Sequence, residues 1–269
     1  MSSDMPHFEE TLRSLPAPSE LPITLPTTHL TVARWFSTVV DNGELQPKAC
    51  KVFKRNLLYF FYGGVFYRTS EMPTRNAAEF PIAFLFEPAI LKDFDCYYPF
   101  DTGAMAAGLF GDWSNRFNPF EERFKVSGRG DYSTPSLMVH HLYGNNENYL
   151  TGDVNHSLSE KPEPLPQLGE FLSADVTSSG ADGRQLKIEC LIAQSLPLNQ
   201  DLIWVGYPSS MSDIFARIYE KTKPSVPEPF PYPDHKVFRP NEVAAQLQLK
   251  AEEVIQRRFI SLPKLKERA

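Results

Sequence analysis

At 269 residues, with 42% hydrophobic and 22% charged residues, the chain can bury a sizeable core without disulfides or metals as staples. Its formal charge of -6 excludes a general electrostatic grip on phosphate backbones, so a nucleic-acid partner needs a local basic groove or aromatic stacking. Three distant cysteines, Cys50, Cys96 and Cys190, form neither a disulfide framework nor a CxxC metal site, which suits a reducing, cytoplasmic compartment. The opening MSSDMPHFEETLRSLP is acidic and broken by proline, unlike a signal peptide, and no run of about 18 apolar residues offers a membrane span. The 24 prolines predict short elements joined by fixed turns, and an aromatic share of 13% predicts either a bulky core or stacking platforms.

The pattern predicts a short helix near Met5–Ser14, an extended arm to residue 26, and a strand over Thr27–Thr31. Val32, Trp35, Phe36, Val39 and Val40 recur at helical spacing, and Asn42-Gly43 stops that helix. Leu57–Tyr67 is an aromatic run split by Gly63-Gly64, read as a strand with a bulge or a strand entering a loop. Phe80–Phe86 suits a buried strand with Pro81 at its start, and Ala89–Phe94 a helical turn. Asp101–Leu109 reads as a loop entering a short helix, Asn115–Phe124 as partly helical, and Ser127–Leu150 as polar and irregular. Ser159–Gln167 is a proline-rich connector, Thr177–Gln185 a polar turn, and Leu186–Ile192 and Asp201–Tyr207 are strands. Met211–Lys221 is expected to be helical, Pro224–Pro233 is again proline-rich, and Pro240–Phe259 is the clearest helix, with Asn241 a candidate cap. These elements describe an α+β fold: an arm (1–26), a main domain (27–222), and a proline-rich connector with a C-terminal helix packed on that domain (223–269).

Three segments could carry chemistry. The first is Thr28-His29-Leu30-Thr31 with its helix and Gly43-Glu44-Leu45; the second is the aromatic block Leu57–Arg68; the third is the turn and strand Arg184–Ile192. Glu189 is either an edge-strand charge facing water or a carboxylate fixed at a cleft. His29 is either a satisfied polar residue or a ligand-facing one, and the aromatic block either core or site. Asp101-Thr102-Gly103 matches the aspartic-protease tripeptide, but a shared-proton dyad needs two such loops, so a turn or helix cap is the better reading. His140-His141 lacks a nearby third ligand, and no metal is expected.

In order and spacing these three segments resemble the ADP-ribosyltransferase family, nearest to its nucleic-acid-modifying branch, typified by the DarT toxins. His29, Thr31, Gly43 and Leu45 match its opening strand, helix and Gly-x-Leu turn; Tyr59 to Arg68 match its aromatic strand; Arg184 to Glu189 match its last turn and catalytic strand. The resemblance covers roughly residues 27–208, with residues 95–165 unmatched. It implies split mixed β-sheets flanked by short helices, and NAD as co-substrate. Glu189 would stabilise the oxocarbenium-like ribose during cleavage of the nicotinamide bond, as a carboxylate does in glycoside hydrolysis. Tyr59 or Tyr62 would face the nicotinamide cation, His29 the other ribose and Arg68 the pyrophosphate, with Thr31 a further cofactor-binding residue. The turn Ser178–Arg184, with Arg184 as its acceptor-facing residue, would face the acceptor, a base in single-stranded RNA or DNA or else a protein side chain. The setting so implied is a bacterial toxin of anti-phage defence silenced by an antitoxin; the rival class is a non-catalytic interaction protein.

Overall fold

The structure, a computed structural model, describes residues 7–65, 74–128, 130–174, 184–234 and 239–260. It is mixed α and β, with mostly antiparallel strands and several helices. The chain divides into two compact units, a helix-rich one (1–24, 50–55, 91–191) and a strand-rich one (25–49, 56–90, 192–269).

In the strand-rich unit the strands run in the spatial order Glu228–Tyr232, Leu202–Pro208, Pro81–Phe86, Thr27–Val32, Arg55–Tyr62. Every residue of Pro81–Phe86 is buried, as expected of an apolar run covered on both faces. Pro81 opens the strand, where its missing N–H disturbs the ladder least. Thr27–Val32 pairs antiparallel with it, from Thr27 opposite Phe86 to Val32 opposite Pro81. Arg55–Tyr62 ends at Gly63, whose φ of 71° turns the chain while its N–H donates to the Pro26 carbonyl at 2.8 Å. After the first strand a single 3-10 turn, Ala33–Trp35, leads into the helix Phe36–Asn42, which buries Phe36 and Val40. Gly43 then adopts the left-handed conformation (φ 71°), and its N–H closes on the carbonyls of Val39 and Val40. The expected stop at Asn42-Gly43 is therefore found.

Two expectations are corrected here. Glu228–Tyr232, within the stretch read as a connector, is a strand lying parallel to Leu202–Pro208. It lies at the sheet edge with Pro229 and Pro231 at alternate positions, so the two missing N–H groups fall on the unpaired side. The expected helix Met211–Lys221 is broken into Ser212–Ala216 and Ile218–Thr222. The C-terminal helix Pro240–Ile255 packs on the strands and buries Val243, Leu247, Val254 and Ile255. Its cap is Arg239, not Asn241; Pro240 supplies the pre-set first turn, and the Asn241 Oδ1 is buried without a partner among the described residues.

In the helix-rich unit Cys96–Tyr98 is flanked by Val126–Ser127 and Glu189–Ile192, both antiparallel to it. Beside these three strands lies an aromatic core. Phe100 meets Phe117, Phe120, Phe124 and Phe171 at centroid distances of 6.0, 6.3, 5.3 and 5.7 Å. The N-terminal helix Phe8–Ser14 joins it by setting Phe8 against Phe124. The stretch read as irregular, Ser127–Leu150, holds the helix Thr134–Tyr143 and the start of another, Asn146–Thr151. Likewise the connector Ser159–Gln167 runs into the helix Leu165–Ser173, with Pro166 in its first turn. No described helix is long and apolar enough to cross a membrane.

Candidate functional site

In a strand successive side chains alternate, so His29 and Thr31 share a face. Both line a cleft of about 140 Å³ in the strand-rich unit, closed by Trp35 of the 3-10 turn, by Thr38 and Asn42 of the following helix and by the segment Glu44–Lys48. Trp35 is 43% exposed, and the Lys48 ammonium lies 4.3 Å from its ring centroid, a cation–π pair at the cleft wall. Burial, with the Arg34 charge adding to it, lowers the Lys48 pKa.

The His29 imidazole is held by its Nδ1, 2.8 Å from the Tyr59 carbonyl. A carbonyl can only accept, so Nδ1 carries the proton and Nε2 of the neutral ring is an acceptor. Burial, aided by the Lys48 charge and opposed by the Tyr59 bond, brings the His29 pKa down from 6.5 to about 4. At neutral pH the cleft thus offers a fixed acceptor (His29), a cation (Lys48), a hydroxyl (Thr31), a carboxylate (Glu44) and an exposed indole (Trp35). Such a set can hold a molecule with hydroxyls, negative charge and a flat ring.

The other expected residues divide. Tyr59 is half-buried, and its backbone fixes His29. Tyr62 is fully buried in the core, its hydroxyl accepting from the Leu25 N–H at 2.8 Å. Arg68, the turn 177–183 and the side chain of Arg184 lie outside the described residues.

Glu189 sits in the helix-rich unit, and the water-facing edge-strand reading is overturned. It is 2% exposed, and its strand pairs with Cys96–Tyr98 so that Glu189 stands opposite Tyr98. Its Oε2 accepts from the Thr102 hydroxyl at 2.5 Å and from the Thr102 backbone N–H at 3.2 Å. Burial raises its pKa well above the ordinary carboxylate range, the nearby Asp101 charge raises it further, and the two Thr102 bonds work against that rise. Asp101 caps the helix Thr102–Ala106, its Oδ1 accepting from the Ala104 N–H at 2.7 Å. The helix-cap reading of this tripeptide is borne out, whereas the contact of Thr102 with Glu189 had no sequence signal beyond the tripeptide itself. Trp35 and Lys48 were also missed; an indole just past a histidine strand was their one available clue. His140 and His141 lie on a helix, rings 4.9 Å apart, and no metal-holding group of three ligand residues exists among the described residues.

No family model, no curated protein and no solved structure matches the chain.

Proposed function

We propose that the chain is an NAD-dependent mono-ADP-ribosyltransferase whose acceptor is a base in single-stranded RNA or DNA, acting as a toxin of bacterial anti-phage defence held silent by an antitoxin. The observation that carries this reading is the His29 cleft. A neutral imidazole with a free acceptor nitrogen suits a ribose hydroxyl, and Lys48 beside an exposed Trp35 suits a phosphate next to a flat base. Arg68 is assigned to the pyrophosphate, Tyr59 to nicotinamide, and Arg184 to the acceptor side. Glu189 is the acid assigned to the scissile ribose, where a carboxylate shielded from water stabilises developing positive charge more strongly than an exposed one.

The test is incubation of the purified chain with adenine-labelled NAD and separate pools of RNA, single-stranded DNA and protein. Label is expected in one of the nucleic-acid pools, with release of nicotinamide. Glu189→Gln is expected to lower the rate at least about 100-fold while leaving the melting profile cooperative. No nicotinamide release with any pool, or full transfer by Glu189→Gln, would remove the proposal.

A further inference from the structure

The Asp101-Thr102 pair at the start of the helix Thr102–Ala106 meets a buried carboxylate, Glu189, on the strand Glu189–Ile192. Two donors of the same residue converge on a single oxygen, Oε2, and among the described residues no hydrogen bond reaches Oε1. A carboxylate gripped at one oxygen by both a hydroxyl and an N–H has its plane fixed and its other oxygen aimed. The backbone donor is itself fixed, because Asp101 caps the helix on which Thr102 is the first residue.

We propose that Thr102 is the positioning residue for Glu189, holding Oε2 so that Oε1 is presented to the substrate ribose, with Asp101 setting both the helix start and the local charge. This rests on the functional reading above. Thr102 transfers no proton; it donates two hydrogen bonds that favour the ionised carboxylate, while Asp101 disfavours it through like charge. The other titratable groups facing Glu189 are Tyr98, Cys50, Cys96 and Cys190. Each of Tyr98, Cys96 and Cys190 has its own pKa raised, first by burial, so these three are neutral through the range of interest.

The experiment compares wild type with Thr102→Ser, Thr102→Val and Asp101→Asn, reading nicotinamide release against pH and the Glu189 titration by carboxyl carbon NMR with labelled glutamate. Thr102→Val removes one donor at nearly constant volume. Its kcat is expected to fall about 10- to 100-fold with KM for NAD changed less than about 3-fold, and Thr102→Ser is expected to restore most of the rate. The acidic limb of the kcat profile and the NMR titration of Glu189 should move to higher pH in Thr102→Val and to lower pH in Asp101→Asn. Coincident limbs in all four proteins, or a Thr102→Ser variant as slow as Thr102→Val, would overturn the inference. If Thr102→Val does not fold, the Asp101→Asn shift and the Thr102→Ser rate decide alone. A wild type without NAD turnover sinks the functional reading instead, and the NMR titrations then decide whether Thr102 and Asp101 control Glu189.

Discussion

A histidine without its second proton at neutral pH is an acceptor, and His29 is kept neutral by burial and by Lys48, while the Tyr59 carbonyl, which works against that lowering, fixes its tautomer. NAD affinity, measured by calorimetry, is therefore expected to stay level from pH 8 to about 5 and to fall as pH approaches about 4, where Nε2 gains a proton and becomes a donor. A loss already centred near the ordinary histidine value of 6.5 would show that His29 is not the group. His29→Ala should weaken NAD binding about 10-fold, the usual cost of one buried acceptor, with a smaller effect on kcat. His29, Thr31 and Glu189 could be picked out in the sequence because strand alternation and the resemblance act over a few residues. Thr102 could not, since it lies 87 positions from Glu189 and only folding joins them.

At the scale of elements, the approach of the C-terminal helix to the strands depends on an absent side chain. A Cβ on Gly206 would lie 2.2 Å from the Leu247 Cδ2 and 2.7 Å from the Trp204 ring, so the Leu247 side chain, the indole or the helix would have to shift. Gly206→Ala is expected to cost about 1–3 kcal/mol by overpacking. Leu247→Ala should cost about 2–5 kcal/mol through the cavity it leaves. Thermal unfolding of the double variant should show less than the sum, because removing Leu247 makes room for the new methyl; strict additivity would mean that this contact does not set the approach. The strands around this helix were legible because Phe80–Phe86 and Asp201–Tyr207 are short apolar runs bounded by turn residues. Thr134–Tyr143 was hidden because its buried face includes Thr134, Pro135 and Ser136, which do not read as apolar. The edge strand Glu228–Tyr232 was hidden because its alternating prolines, which forbid a central strand, are permitted at an edge.

For the molecule as a whole, each unit carries a histidine that folding holds neutral. His141 in the helix-rich unit is lowered to about 4 by burial and then by the charges of His140 and Lys161, and His29 in the strand-rich unit to about 4 as well. A depressed histidine contributes stability that is complete above the unfolded value of 6.5 and is lost as pH falls toward about 4, because the unfolded chain takes up the proton first. For the more deeply buried His29 the shift corresponds to about 3 kcal/mol at full extent, and the half-buried His141 contributes less. Glu189 acts in the opposite sense: its raised pKa gives a contribution that is complete below 4.5 and is lost as pH rises through the folded value. From pH 7 to pH 5 the two histidines lower the stability while Glu189 raises it, so the melting temperature of the wild type follows the difference of the two. The double variant His29→Gln, His141→Gln should remove the histidine part of that difference. Glu189→Gln, which keeps an acceptor for Thr102 and removes the buried charge, should melt higher than wild type at pH 7 and lose more on acidification. A Glu189→Gln chain less stable than wild type at pH 7 would mean that the acid is held for packing alone. One that is more stable and inactive would show the native residue kept at a cost in stability, the pattern expected where a charge serves chemistry.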